Sequence, residues 1–129
     1  MAEVVKSVPS GVLRVEIDDP IDQRLTAPTG EIRGWFAARD IDLPEDYRFQ
    51  VGAVPVLCRE VKREDVEEML PYHAVGGFVL RYDLSLYLPY IDGNKLIIQL
   101  ILPEYRTRVL RFKIEERALA ACLASASDL

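Results

Sequence analysis

The chain has 129 residues, of which 50% are hydrophobic and 29% charged, a composition typical of a folded globular domain. Its length is that of one domain, large enough to bury a core without disulfide or metal staples. The formal net charge of −5 disfavours a general nucleic-acid binder and a basic membrane anchor, because both need a concentrated positive surface.

The first third of the chain predicts two strands joined by an irregular connection. Residues 1–10 have no hydrophobic period, so we expect a flexible N-terminal segment. Over residues 12–17 apolar and polar side chains alternate, which predicts a half-buried strand. A second strand is expected over 31–38, where Trp35 and Phe36 point to opposite faces. One of these rings should therefore face the core and the other a neighbouring segment.

Short apolar runs separated by proline and glycine continue to the C-terminus. Residues 63–70 predict a brief helix that Pro71 stops, and Asp92-Gly93 is a strong signal for a tight hairpin turn. A final helix is predicted over 115–126. One or two further strands are predicted over residues 47–54 and 55–61, and others over 78–83, 84–89, 95–102 and 107–114.

About seven short strands, with no long helix between them, predict an all-β sandwich or barrel. The residues expected in or near the core are Trp35, Phe49, Val56, Phe78, Ile98, Leu100 and Phe112.

The cysteine content and the absence of targeting signals favour a cytoplasmic protein. Cys122 falls in the predicted terminal helix, so we expect it and Cys58 to be reduced thiols rather than a disulfide. No apolar run approaches the roughly 20 residues that cross a bilayer, and the N-terminus lacks a signal-peptide pattern. No zinc-binding spacing occurs, and no metal or cofactor is expected.

Four short motifs occur in a recognisable order in the middle of the chain. The first motif is Gly30-Glu31-Ile32-Arg33-Gly34-Trp35, and the second is Arg63-Glu64-Asp65-Val66. The last two are Leu70-Pro71 and Gly76-Gly77-Phe78. This arrangement resembles a bacterial immunoglobulin-like β-sandwich domain found beside glycosyltransferases and methyltransferases. Two positions depart from the family pattern, because Glu64 replaces a usual proline and Leu70 replaces a common aromatic residue.

The resemblance implies an immunoglobulin-like antiparallel sandwich of about seven strands over residues 11–114, followed by a C-terminal helix or linker over 115–129. Asp65 would accept backbone N–H bonds at the start of the short helix, and Arg63 would pair across the turn. The residues with implied structural roles are Trp35, Arg63, Asp65, Pro71, Gly77 and Phe78.

The same resemblance supplies no catalytic residues. It favours a non-catalytic accessory or protein-interaction module that accompanies a glycan-processing or methyl-transferring enzyme. The partner would be a separate protein or a catalytic domain of the same polypeptide. A small enzyme is the least favoured alternative, because the only histidine, His73, lies in no recognised catalytic motif.

Tyrosines in the second half of the chain support an alternative function as a carbohydrate-binding module. Sugars stack their apolar C–H faces on aromatic rings, while a polar rim bonds their hydroxyls. Tyrosine is also a common residue of half-buried strands, which is the competing interpretation. The candidate ligand-binding residues are Tyr82, Tyr87, Tyr90, Tyr105 and Arg106.

Two further features point to partners. The terminal helix carries Leu119, Cys122 and Leu123 on one apolar stripe, and a helix of about 12 residues needs a surface to dock on. That surface is either its own domain or another chain, and a homodimer through an exposed strand edge is a related hypothesis. The last strand contains a basic stretch that would suit an acidic surface, although alternation prevents all of its members from sharing one face, and a solvated strand face is the competing interpretation: Arg106, Arg108, Arg111 and Lys113.

Overall fold

The computed structural model describes residues 13–39, 46–102 and 107–127. Two 3-10 turns cover Leu84–Leu86 and Leu88–Tyr90. The elements are β1 (Leu13–Asp19), β2 (Arg24–Leu25), β3 (Thr29–Arg39), β4 (Arg48–Val51), β5 (Val54–Pro55), β6 (Leu57–Val61), α1 (Glu64–Met69), β7 (His73–Asp83), β8 (Lys95–Ile101), β9 (Arg108–Ile114) and α2 (Glu116–Ser127).

The strands form two open sheets. The first has the order β1-β3-β7-β6 and the second the order β2-β9-β8-β4-β5. Their pairs are antiparallel, except that β2 runs parallel to β9. The protein is therefore mostly β, with two largely antiparallel sheets and a short C-terminal helix, as the coarse fold class predicts.

The main core lies between the two sheets, because alternate side chains of each sheet point towards the other. Phe78 of β7 meets Phe49 of β4 at a ring-centroid distance of 4.8 Å, and it lies 6.0 Å from Phe36 of β3. The other predicted core residues found here are Val56, Ile98, Leu100 and Phe112.

Trp35 is the exception among the predicted core residues. It is 4% exposed, but it belongs to a second small cluster with Ala37 and Val66 on the outer face of the first sheet. Since strand side chains alternate, the inward position of Phe36 sends Trp35 outward, where α1 covers it. The expectation that one ring faces the core and the other a neighbouring segment is confirmed.

The predicted strand over 84–89 is wrong, because this segment forms the two 3-10 turns. The Asp83 carboxylate accepts hydrogen bonds from the Ser85 amide at 3.0 Å and from its hydroxyl at 2.6 Å, which ends β7. Pro89 then lies within the second turn. The predicted flexible segment over 1–10 lies outside the described residues.

Candidate interaction surface

Several of the predicted structural residues meet at one corner of the first sheet. Arg63 donates to Asp65 from Nε at 3.0 Å and from Nη2 at 2.9 Å, while Nη1 donates to Asp18 of β1. A Cβ on Gly77 would collide with the Arg63 side chain and approach the Val61 carbonyl oxygen to 2.6 Å. Arg63, expected to pair across the turn, binds Asp65, and its hydrogen bond to Asp18 joins α1 to β1.

The predicted structural residues act in packing and in ion pairing. Hydrogen bonds from Arg63 lower the pKa of Asp65, so its carboxylate is held ionised. Pro71 follows Leu70, which caps the C-terminus of α1, and Phe78 is fully buried in the main core.

The members of the predicted tyrosine platform that the structure describes do not form an aromatic surface. Tyr82 and Tyr87 are 4% and 1% exposed, and burial raises the pKa of both. The Tyr82 hydroxyl donates to the Ala27 carbonyl at 3.0 Å. Tyr90 is 45% exposed, but its ring packs over Gly52. Tyr105 and Arg106 lie outside the described residues.

Tyr82 and Tyr87 do share one groove, of about 460 Å³, with Leu57 and Leu86 at its sides. Glu31, Arg81 and Asp83 also line it. The two tyrosines contribute little exposed ring surface, so a sugar would find no aromatic face on which to stack. The two leucines, at 69% and 57% exposed, are the accessible apolar groups.

The C-terminal helix docks on its own domain. Ala118 and Cys122 are buried in the main core, Leu119 packs against it, and burial raises the pKa of the Cys122 thiol. Leu123 remains 51% exposed. Of the three residues predicted as an interaction stripe, two are therefore occupied within the chain, and only Leu123 is available to a partner.

A basic surface covers the outer face of the second sheet. Leu25, Leu96, Phe112 and Ile114 point into the core, so their strand neighbours point outward. Register then brings the cations together across three strands, pairing Arg24 with Lys113 and Lys113 with Lys95. We define the basic face as Arg24, Lys95, Ile97, Val109, Arg111 and Lys113.

The basic face has an apolar centre. Ile97 is 43% exposed and lies directly opposite Arg111, while Val109 on β9 is 40% exposed. A shallow groove of about 740 Å³ passes over this region. It is also lined by the carboxylates of Asp22 and Asp92 and by the amides of Gln23 and Asn94.

The cations of the basic face have no ion-pair partner among the described residues. Lys95 and Lys113 lie directly opposite each other, an arrangement of like charges that destabilises a sheet. Arg108, from the predicted basic stretch, points the other way and donates to the Leu13 carbonyl at 3.3 Å. The alternation expected from the sequence is thus confirmed for Arg108, Arg111 and Lys113.

An acidic surface lies on the opposite side of the molecule. It is formed by α1 and the turn after it, on the outer face of the first sheet. Glu64 approaches Lys62 at 3.8 Å, whereas Glu67 and Glu68 have no partner within the described residues. We define the acidic helix as the exposed residues of α1 together with Tyr72 in the turn after it. Its members are Glu64, Glu67, Glu68, Met69 and Tyr72.

Sequence patterns predicted some residues of the basic face and missed others. The basic stretch identified Arg111 and Lys113, but Arg24, Lys95 and Ile97 join them only through strand register. Among the described residues, no group of three or more histidine, cysteine, aspartate or glutamate side chains is arranged to hold a metal ion. His73 leaves its buried Nδ1 without a hydrogen-bond partner.

No helix in the described part of the chain is long and apolar enough to cross a membrane. Comparison with known proteins finds no matching family model, no similar curated protein and no similar solved structure.

Proposed function

We propose that this protein is a non-catalytic protein-interaction module whose basic face binds an acidic surface of a partner protein. The observation that carries the proposal is the row of Arg24, Lys113 and Lys95 across three strands, in a chain of net charge −5. Opposed like charges without partners cost stability, and an anionic partner surface would remove that cost.

The composition of the basic face favours a protein over a simple polyanion. Ile97 and Val109 provide exposed apolar surface, and charged side chains surround them. Protein interfaces combine an apolar centre with a polar rim in this way. Nucleic acids are bound chiefly through cations that contact phosphates, for which an exposed isoleucine and valine offer no advantage.

We further propose that the two sheets form an immunoglobulin-like sandwich. With β1, β3, β4, β6, β7, β8 and β9 as strands A to G, the sheet orders read A-B-E-D and G-F-C, and the short strands β2 and β5 lie beside G and C at the edges of the second sheet. These are the sheet memberships of immunoglobulin domains. The chain lacks their inter-sheet disulfide, since Cys58 lies on β6 and Cys122 on α2, and Trp35 faces outward.

The resemblance in the sequence suggests the kind of partner. It favours a glycan-processing or methyl-transferring enzyme, and the basic face adds the requirement that the enzyme present carboxylates around an apolar patch.

The proposal can be tested by NMR with a synthetic helical peptide carrying glutamates beside a leucine stripe. We expect amide shifts at Ile97, Val109 and Arg111, and at least about tenfold weaker binding by Lys95→Glu/Lys113→Glu. Arg117→Glu is the matched control, because Arg117 is 76% exposed on α2 and should leave binding unchanged.

Three outcomes would overturn the proposal. Shifts confined to another surface would move the interaction elsewhere. Equal binding by the Lys95→Glu/Lys113→Glu variant would show that the basic face is not used. Tighter binding of a single-stranded oligonucleotide than of the peptide would indicate a nucleic-acid partner instead.

A further inference from the structure

We propose that the basic face binds the acidic helix of a second copy of this chain, so that copies associate head to tail. This inference rests on the proposed function, because it names one partner for the same surface. It differs from a homodimer through a strand edge, since both surfaces used here are outer faces of the sheets.

Charge complementarity is the first argument. Glu67 and Glu68 extend from α1 without a partner among the described residues, as Lys95 and Lys113 do from the second sheet. Within one molecule the two surfaces lie on opposite outer faces, so they cannot meet. Between two molecules each would neutralise charges that are otherwise unpaired.

Apolar complementarity is the second argument. Met69, the last residue of α1, is 58% exposed, and Tyr72, in the turn that follows, is 89% exposed. The basic face presents Ile97 and Val109 beside its cations. Placing the side chains of Met69 and Tyr72 on this apolar centre would bring the glutamates towards the surrounding lysines and Arg111.

The arrangement determines how the copies would assemble. The contact joins two different surfaces, so each added copy leaves one basic face and one acidic helix free. Such heterologous contacts close into rings or continue as open chains. The surfaces are small, and we therefore expect weak association that increases with protein concentration and decreases with salt, which screens exposed charges.

Sedimentation equilibrium up to about 1 mM protein provides the test, since contacts of this size fall in the weak range of affinity. We expect the average mass of the full chain to rise with concentration. Two double variants should each reduce the association constant at least about tenfold, because each gives the two contacting surfaces charges of the same sign. They are Lys95→Glu/Lys113→Glu and Glu67→Lys/Glu68→Lys. Arg117→Glu should not change it.

Mixing the two double variants is the decisive step. Each variant retains the surface that the other has lost, so the mixture should regain the association that neither shows alone. A full chain that stays monomeric throughout, or a mixture that stays monomeric after the parent associates, would overturn the inference. Circular dichroism of each variant excludes unfolding as the cause.

Self-association and peptide binding can fail independently, so the two experiments distinguish this inference from the proposed function. If the chain is monomeric but binds the acidic peptide through Ile97 and Arg111, the basic face serves a different protein and only the self-association fails. If neither association nor peptide binding occurs, both proposals fail.

Discussion

Arg63 crosses the first sheet directly above Gly77, where any larger residue would occupy the space of its side chain. This contact allows the guanidinium to reach both Asp18 on β1 and Asp65 on α1. A residue without a side chain thus lets one arginine join two strands and a helix.

Replacing Gly77 with alanine should destabilise the protein by about 1–3 kcal/mol, the usual cost of overpacking. The new methyl group would displace Arg63 and crowd the Val61 carbonyl. Urea unfolding measures the effect. Gly93→Asn is the control, because Gly93 faces open space at φ 65° and asparagine tolerates that conformation. Equal effects of the two substitutions would contradict this explanation.

The Arg63–Asp65 pair should make stability depend on acid pH. The pKa of Asp65 is lower in the folded than in the unfolded protein, so its contribution is present above the unfolded value of about 3.9 and is lost as the pH falls. Asp65→Asn should therefore lower the urea midpoint near neutral pH but have less effect at about pH 3. In an Arg63→Met background that pH-dependent difference should shrink but not vanish, because backbone hydrogen bonds at the start of α1 also lower the pKa of Asp65.

Trp35 should report the docking of α1. It is the only tryptophan, and it packs beside Val66 under the helix. Val66→Ala should cost about 1–3 kcal/mol and shift Trp35 emission to longer wavelength, because truncation opens the small cluster to water. Met69→Ala, at an exposed position of the same helix, should leave the emission unchanged. A red shift in the control would indicate that α1 is loosened generally.

The docking of α2 predicts different effects at adjacent positions. Cys122 is 2% exposed and Leu123 is 51% exposed. Cys122→Asp should lower the melting temperature strongly, because it buries a carboxylate without a partner, whereas Leu123→Asp should have little effect. In the native protein a thiol reagent should label the exposed Cys58 faster than Cys122. Similar labelling rates would show that α2 is undocked.

Alkaline pH should destabilise the chain through Tyr47. Burial raises the pKa of Tyr47, whose ring packs on Phe36 at 4.9 Å and whose hydroxyl donates to Glu60 at 3.1 Å. A raised folded-state pKa stabilises below the unfolded value of about 10, and this contribution is lost as the pH rises. Tyr47→Phe should therefore move alkaline unfolding, followed by circular dichroism, to higher pH. An unchanged midpoint would assign the transition to other groups.

Features that depend on local patterns could be predicted from the sequence. Alternation identified the inward residues of β8 and β9, and Pro71 marked the end of α1. Alternation also separated Trp35 from Phe36, but it could not decide which ring faces the core. Both faces of β3 carry large hydrophobic side chains. The second sheet packs on one face and α1 on the other, and this packing decides which ring enters the main core.

The contacts between surface residues depend on the pairing of distant strands. Arg24, Lys95 and Lys113 are far apart along the chain, and strand register places them in one row. The same limit explains the tyrosines, since their residue type suits both a sugar platform and a core, and packing buried Tyr82 and Tyr87. Local periodicity fixes which way a side chain points, whereas long-range pairing fixes its neighbours, and a binding surface depends on both.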